Sequence, residues 1–311
     1  MFPAFQDIGV ATAVIIAKVN GLFDFPRLFD ALPMSPLEEL QQHPEYLRKG
    51  KKRPSGDPPF KRGTMFHLRW GNRERGVIEK KKVPEHPGEI SHMRNCMTFD
   101  IVIPGKVASM KIWNNQKEQN SKLHMTGCKS EAQARICVLE FWRRLERMER
   151  RALRHEQPPY FNLTEGTIPS FVFKTSMVNI NFSLGFPVDR NKFDHVVNSY
   201  EDPISFCEPT ITANVNVSMA AHMNRIQHLR KIEVTPYLDH EPIRRRIVLG
   251  QEPASSFPDK KRKDKHHTFL VFQSGNVIMS SPCHCEMEEI YDQFIEIIRS
   301  NVDRIKERVK V

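Results

Sequence analysis

The chain writes one pattern twice, and that duplication constrains its fold more than any other feature. Residues 268–282, "TFLVFQSGNVIMSSP", run apolar to Phe272, turn through Gln-Ser-Gly-Asn and return through Val277, Ile278 and Met279, which predicts a β-hairpin. Residues 109–131, "SMKIWNNQKEQNSKLHMTGCKSE", do the same with Trp113, a longer polar turn, and a return into Met125 and Thr126. An amphipathic helix is expected after each hairpin. In the first, Ser130 and Gln133 make a capping box, and Ala134, Val138, Phe141, Leu145 and Met148 fall on one face. The second is expected to start at Ser281 and Pro282, with an apolar stripe of Met287, Ile290, Tyr291, Phe294, Ile297 and Ile298.

The stretch ahead of each hairpin extends the parallel. Residues 8–19 read as a buried strand, followed by an Asn20-Gly21 turn and a short helix opened by Pro26 and ending near Leu32. A hairpin is expected around Gly71-Asn72, and strands over 97–103 and 107–113 flank a Pro104-Gly105 turn. In the second half, residues 171–184 read as a strand, Pro187 stands at the start of a short helix, and 210–219 alternate with period two. Each half is thus strand, short helix, several antiparallel strands and long helix, an α+β pattern. The expected organisation is a first repeat over 1–153 with a basic insertion at about 35–95, a linker over 154–169 containing Pro158-Pro159, and a second repeat over 170–311 with a polar and basic insertion at about 220–266. Joined edge to edge, two such halves give one curved sheet with helices on one face and the other face bare.

A formal net charge of +10 and a pI near 9.3 favour a polyanionic partner, with solubility or a basic tail as the plainer alternatives. The six cysteines show no framework spacing and are expected to be reduced. Cys283-His284-Cys285 invites a metal, but a closed zinc site needs four ligands and no second cluster stands at a recognisable spacing. The apolar run at 8–19 is too short to cross a bilayer, and "MFPAFQD" before it lacks the positive charge of a signal peptide. The expectation is a protein working inside a cell or a particle, with no membrane partner. Nucleophile motifs and Gly-rich phosphate loops are missing, and Asp239-His240-Glu241, the nearest thing to a catalytic cluster, lies in the polar insertion, so neither enzyme activity nor a cofactor is expected.

Two blocks carry a family resemblance. "MTGCKSEAQA" (125–134) after the Trp113 hairpin resembles the TATA-box-binding protein signature in which Thr-Gly-Ala-Lys-Ser-Glu opens the long helix of the first repeat. "LVFQSGNVIMS" followed by "EEIYDQF" resembles the corresponding second-repeat pattern, and "FVFKTSMVNINFSLGFPV" its opening strand. The resemblance implies a saddle whose concave antiparallel sheet sits in the minor groove of double-stranded DNA and whose aromatic rings wedge between base steps and bend the duplex. Carried over position by position, Trp113 and Phe272 match wedging rings, and Thr126 and Ser280 match the threonines at base edges. Val14, His124, Ile278, Lys111 and Leu270 match groove-facing aliphatic positions. Thr12 and Met177 stand where the family has its central Asn pair, and Asn179 lies on the same strand face as Met177. The partners implied are a general transcription factor IIB-like protein and RNA polymerase, with a monomer on A·T-rich promoter DNA, in the nucleus or in a viral factory in the host cytoplasm. A large DNA virus and a divergent protist both suit such a source.

The departures keep alternatives open. Lys111 replaces an apolar contact with a charge, and loss of both Asn residues weakens strict TATA selection. The second ring of each repeat is assigned to Cys96, Met97 or Phe99 in the first half and to Phe206 in the second. Trp113 and Phe272 could be core aromatics instead, and Thr126 a strand-end residue. The runner-up function is an architectural DNA-binding or protein-recruitment module on the same fold without TATA specificity.

Overall fold

A computed structural model describes residues 2–35, 38, 41–44, 57–76, 95–166, 168–207, 214–221, 226–234, 245–253, 266–282, 284 and 286–307, the two segments 226–234 and 245–253 as backbone alone. The basic run at 49–53, most of that at 259–267, the Asp239-His240-Glu241 cluster, Cys283 and Cys285 lie outside the described residues.

In chain order the first elements are β1 (Val10–Val19), β2 (Gly21–Phe23), α1 (Phe25–Ala31), β3 (Met65–Trp70), β4 (Arg73–Arg75), β5 (Cys96–Ile103), β6 (Lys106–Asn115), β7 (Asn120–Cys128), α2 (Glu131–Arg154) and β8 (Phe161–Leu163). There follow β9 (Ser170–Ser183), α3 (Arg190–Val197), β10 (Ile204–Cys207), β11 (Asn214–Ala220), β12 (Ile226–Val234), β13 (Arg245–Pro253), β14 (His266–Phe272), β15 (Asn276–Ser281), α4 (Met287–Ser300) and α5 (Val302–Ile305). The protein is α+β with antiparallel strand pairing. It groups into two compact units: a first of residues 14–174 and 229–250, and a second of residues 1–13, 175–228 and 251–311.

In the first unit the strands run in the order β1–β7–β6–β5–β3–β4. Trp113 pairs with Lys122 and Lys111 with His124 across the β6–β7 hairpin. Helix α2 forms where the capping box was expected: Ser130 Oγ accepts from the Gln133 amide at 3.3 Å, and Gln133 Oε1 accepts from the Lys129 amide at 2.8 Å. Ala134, Val138, Phe141, Leu145 and Met148 are all buried, and Phe141 stacks on Phe99 of β5 with ring centroids 5.2 Å apart. The hairpin expected around Gly71-Asn72 is present as β3–β4, and β3 pairs with β5 across a bulge next to His67, whose φ is 64°. Part of the first insertion is therefore sheet. The stretch read as a linker is also partly sheet, because β8 pairs with β2. Glu149 accepts from the Tyr160 and Phe161 amides there, each at 2.8 Å.

In the second unit the order is β10–β11–β14–β15–β9. Phe294 of α4 lies face to face with Phe269 of β14, centroids 4.0 Å apart and planes 8° off parallel. Three expectations need correction here. Ser281 ends β15 rather than opening a helix, and α4 begins only at Met287. Along α4, Ile295 is buried while Ile297 is half-buried. Helix α3 starts after Asp189, which caps the Lys192 amide at 3.2 Å, not at Pro187. The cause is tertiary: the Val188 amide is taken by the Gln273 carbonyl at 2.8 Å, which holds that segment extended. Gly275 in the β14–β15 turn sits at φ +81°, and a Cβ there would come within 2.0 Å of the Phe186 carbonyl oxygen. The N-terminal segment packs on α4: Tyr291 Oη donates to the Pro3 carbonyl at 2.6 Å, and burial, followed by the Asp292 charge, pushes the phenol up to about 12.

The second insertion also contains strands. β12 and β13 pair with each other, and β12 pairs with β9 from Ser170 to Phe173. Among the described residues no helix is long and apolar enough to cross a membrane, and no three His, Cys, Asp or Glu residues are grouped to hold a metal.

Candidate nucleic-acid interface

Alternation along the strands sorts their side chains into a helix side and an open side. In the first unit Met110, Ile112, Leu123 and Met125 are fully buried beneath α2, and their sequence neighbours face the other way. In the second unit Val178, Ile180, Phe269, Val271, Val277 and Met279 take the helix side. All twelve sequence-predicted contact residues fall on the open sides. Thr12, Val14, Lys111, Trp113, His124, Thr126, Met177, Asn179, Leu270, Phe272, Ile278 and Ser280 are each half-buried. Trp113 and Phe272 are therefore not core aromatics beneath the helices.

The register draws these residues into rows that cross the strands. In the first unit one row runs Arg69–Thr98–Lys111–His124, and its neighbours pair Cys96 with Trp113 and Ser109 with Thr126. The Trp113 ring rests against the His124 ring, centroids 5.4 Å apart. Burial, followed by the Lys111 charge, lowers the His124 pKa. In the second unit one row runs Phe206–Asn216–Leu270–Ile278–Asn181 and the next Ile204–Ser218–Thr268–Ser280–Asn179. The Asn179 Oδ1 atom is buried without a hydrogen-bond partner among the described residues. A cavity of about 520 Å³ opens beside Phe272, lined by Asn181, Phe182, Ser274, Asn276, Val277 and Ile278.

Two expectations about the open sides are overturned. Met97 and Phe99 sit on the helix side and are fully buried, and Cys96, although paired with Trp113, is only 2% exposed, so none of the three is a free wedge. The first unit's open side is also not bare along its whole length. Phe60 covers Phe66, Val102 and Val107, all four buried together, because three apolar side chains at that end of the sheet would otherwise face water. Phe206, the second ring proposed for the other half, faces outward. Phe206 on the edge strand β10 is 65% exposed on the open side, beside Ile204 at 67%. Sequence reasoning missed Arg69, Thr98, Asn181 and Asn216; period-two counting outward from Lys111 and Leu270 reveals a partner only once the strand registers are known.

No family model matches this chain. A protein of Invertebrate iridescent virus 6, uncharacterized protein 335L, is 21% identical to it over 237 residues, covering 72% of this chain and 66% of the viral protein.

Proposed function

We propose that this chain is a diverged TATA-box-binding-protein-like initiation factor. On this reading the two halves are the two repeats of a saddle, and their open sides bind an A·T-rich minor groove. Trp113 and Phe272, joined by Phe206, prise base steps apart and bend the duplex, and a IIB-like factor and RNA polymerase are recruited to the complex. The observation that carries this proposal is that a ring near the hairpin end of β6 and another near the hairpin end of β14 both face away from the helices. Support also comes from the strand order, in which the opening strand lies beside the closing strand in each unit. The Asn179 amide oxygen, without a hydrogen-bond partner among the described residues, lies close in sequence to where the family carries an amide. Similarity to a protein of Invertebrate iridescent virus 6 supports a viral source.

The test is bending of a doubly labelled duplex followed by fluorescence transfer. Trp113→Ala or Phe272→Ala is expected to abolish most of the bend while leaving salt-sensitive association. A wild-type protein that does not bend DNA, or a bend indifferent to both substitutions, removes the proposal.

Thr12 and Met177, in place of two amides, favour a second reading: an architectural or recruiting module that does not choose promoters. Competition between A·T-rich and G·C-rich duplexes separates the two, since the minor groove distinguishes mainly those classes.

A further inference from the structure

On the helix side of the first unit, the segment 61–64 runs beside α2 and the two enclose a groove of about 470 Å³. Its lining includes five cationic side chains, Lys61, Arg62, Arg143, Arg144 and Arg147, against one carboxylate, Glu140. Glu140 is 8% exposed, and its Oε1 accepts from Arg62 Nε at 2.7 Å and from Arg143 Nη1 at 2.8 Å. Arg144 is braced by the carbonyls of Pro33, at 3.1 Å, and Gly63. Burial, followed by the Arg147 charge, lowers the Arg144 pKa, while the Glu140 charge acts the other way. Gly63 lies against Glu140 at φ +81°, where a Cβ would come within 3.1 Å of the carboxylate, so the close approach of the segment to α2 depends on glycine.

We infer that this groove is a docking site for an acidic, Asp/Glu-rich segment of a partner protein. The site already holds one carboxylate between two guanidinium groups, each giving a single charge-assisted N–H to the same Glu140 oxygen, the chemistry by which Arg recognises carboxylates. Among the described residues that line the groove, one acid faces five cations, so further carboxylates are attracted. A space of about 470 Å³ takes the side chains of an extended peptide, whereas a duplex presents its phosphates on a broad rod. It lies on the side of the sheet away from Lys111 and Trp113, so its occupation does not depend on the DNA proposal. The segment 61–64 belongs to the insertion that has no counterpart in the resembled family, which makes the groove a property of this chain.

The experiment is fluorescence anisotropy of a labelled Asp/Glu octapeptide titrated with the full chain at about 50 mM salt, where charge interactions are weakly screened. The double variant Lys61→Glu/Arg147→Glu is expected to weaken binding about tenfold or more. The reference double variant Lys192→Glu/Arg299→Glu, an equal charge change on exposed residues of the second unit, is expected to weaken it less than about twofold. Glu140→Gln, which releases Arg62 and Arg143, is expected to tighten binding. Circular dichroism confirms that each variant is folded. No binding, equal losses in the two double variants, or weaker binding by the Glu140→Gln protein overturns the inference. Displacement of the peptide by a short duplex also overturns it, by making the groove a nucleic-acid site.

Discussion

The open side of the first unit presents Arg69, Lys111, Lys122 and His124 around Trp113, whereas that of the second presents Asn179, Asn181, Asn216, Thr268 and Ser280 around Leu270, Phe272 and Ile278. The helix sides are alike: a long helix lays an aromatic ring onto an aromatic ring of the sheet, Phe141 on Phe99 and Phe294 on Phe269. Burial constrains one side of a strand to apolar, close-packed residues, while the other side is free to change its chemistry without disturbing the backbone path. The two units therefore share a construction and differ in the surface they offer. Cations dominate one open side, and amides, hydroxyls and aliphatics the other.

The largest expected effects test the shared side. Phe294→Ala and Phe141→Ala each remove a buried ring and are expected to cost about 3–5 kcal/mol. Urea unfolding measures both, and a loss below about 1 kcal/mol in either breaks the parallel. The hairpins differ next. Gly275→Ala forces a Cβ onto the Phe186 carbonyl and is expected to cost well over about 1 kcal/mol. The longer turn of the first unit places Gln119 at φ 51°, and Gln119→Gly is expected to shift stability by less than about 1 kcal/mol, because relief of strain offsets the added chain entropy. Similar losses for the two variants would show that the turns are under equal constraint.

Exchanging the open-side chemistry sharpens the contrast. Lys111→Leu is expected to reduce the slope of log affinity for a duplex against log salt by about 0.9, and Leu270→Lys to steepen it by a similar amount. Slopes unmoved by both variants would place the duplex elsewhere. The smallest effect belongs to His124. Its folded pKa is depressed, so the unfolded chain binds the extra proton first. Stability at this site is complete above the ordinary histidine value of about 6.5 and falls as pH drops from there toward the lower folded value. His124→Gln is expected to flatten that part of the pH–stability curve. Proton NMR is expected to find the His124 titration below 6.5 in the wild type and shifted upward in Lys111→Leu, since the Lys111 charge is the lesser of the two causes.

Much of the secondary structure was readable before any coordinates. The capping box at Ser130, the aromatic-ended hairpins at Trp113 and Phe272 and the apolar stripes of α2 and α4 are local patterns. Hydrogen-bond caps and 3.6- or 2-residue periods act over a few residues and leave their mark on adjacent positions. The twelve candidate contact residues came from the family resemblance, and strand alternation accounts for their falling on one side of their strands. The errors arose where distant segments intervene. The start of α3 moved because Gln273 captures the Val188 amide, and segments read as linker or polar insertion became β8, β12 and β13 because an unpaired strand offers hydrogen bonds to whatever chain passes it.

By itself, then, the sequence determined most of the elements, the alternation that gives each strand an inward side, and the excess of positive charge. Tertiary structure alone decided which residues line up across strands, that Phe60 shields one end of a face, that Phe206 stands free on an edge, and that the segment 61–64 closes a basic groove over α2. The physical reason is range. Periodicity and capping are written in neighbouring residues, whereas register, cover and groove formation depend on which distant chain competes best for the same buried surface and the same backbone hydrogen bonds.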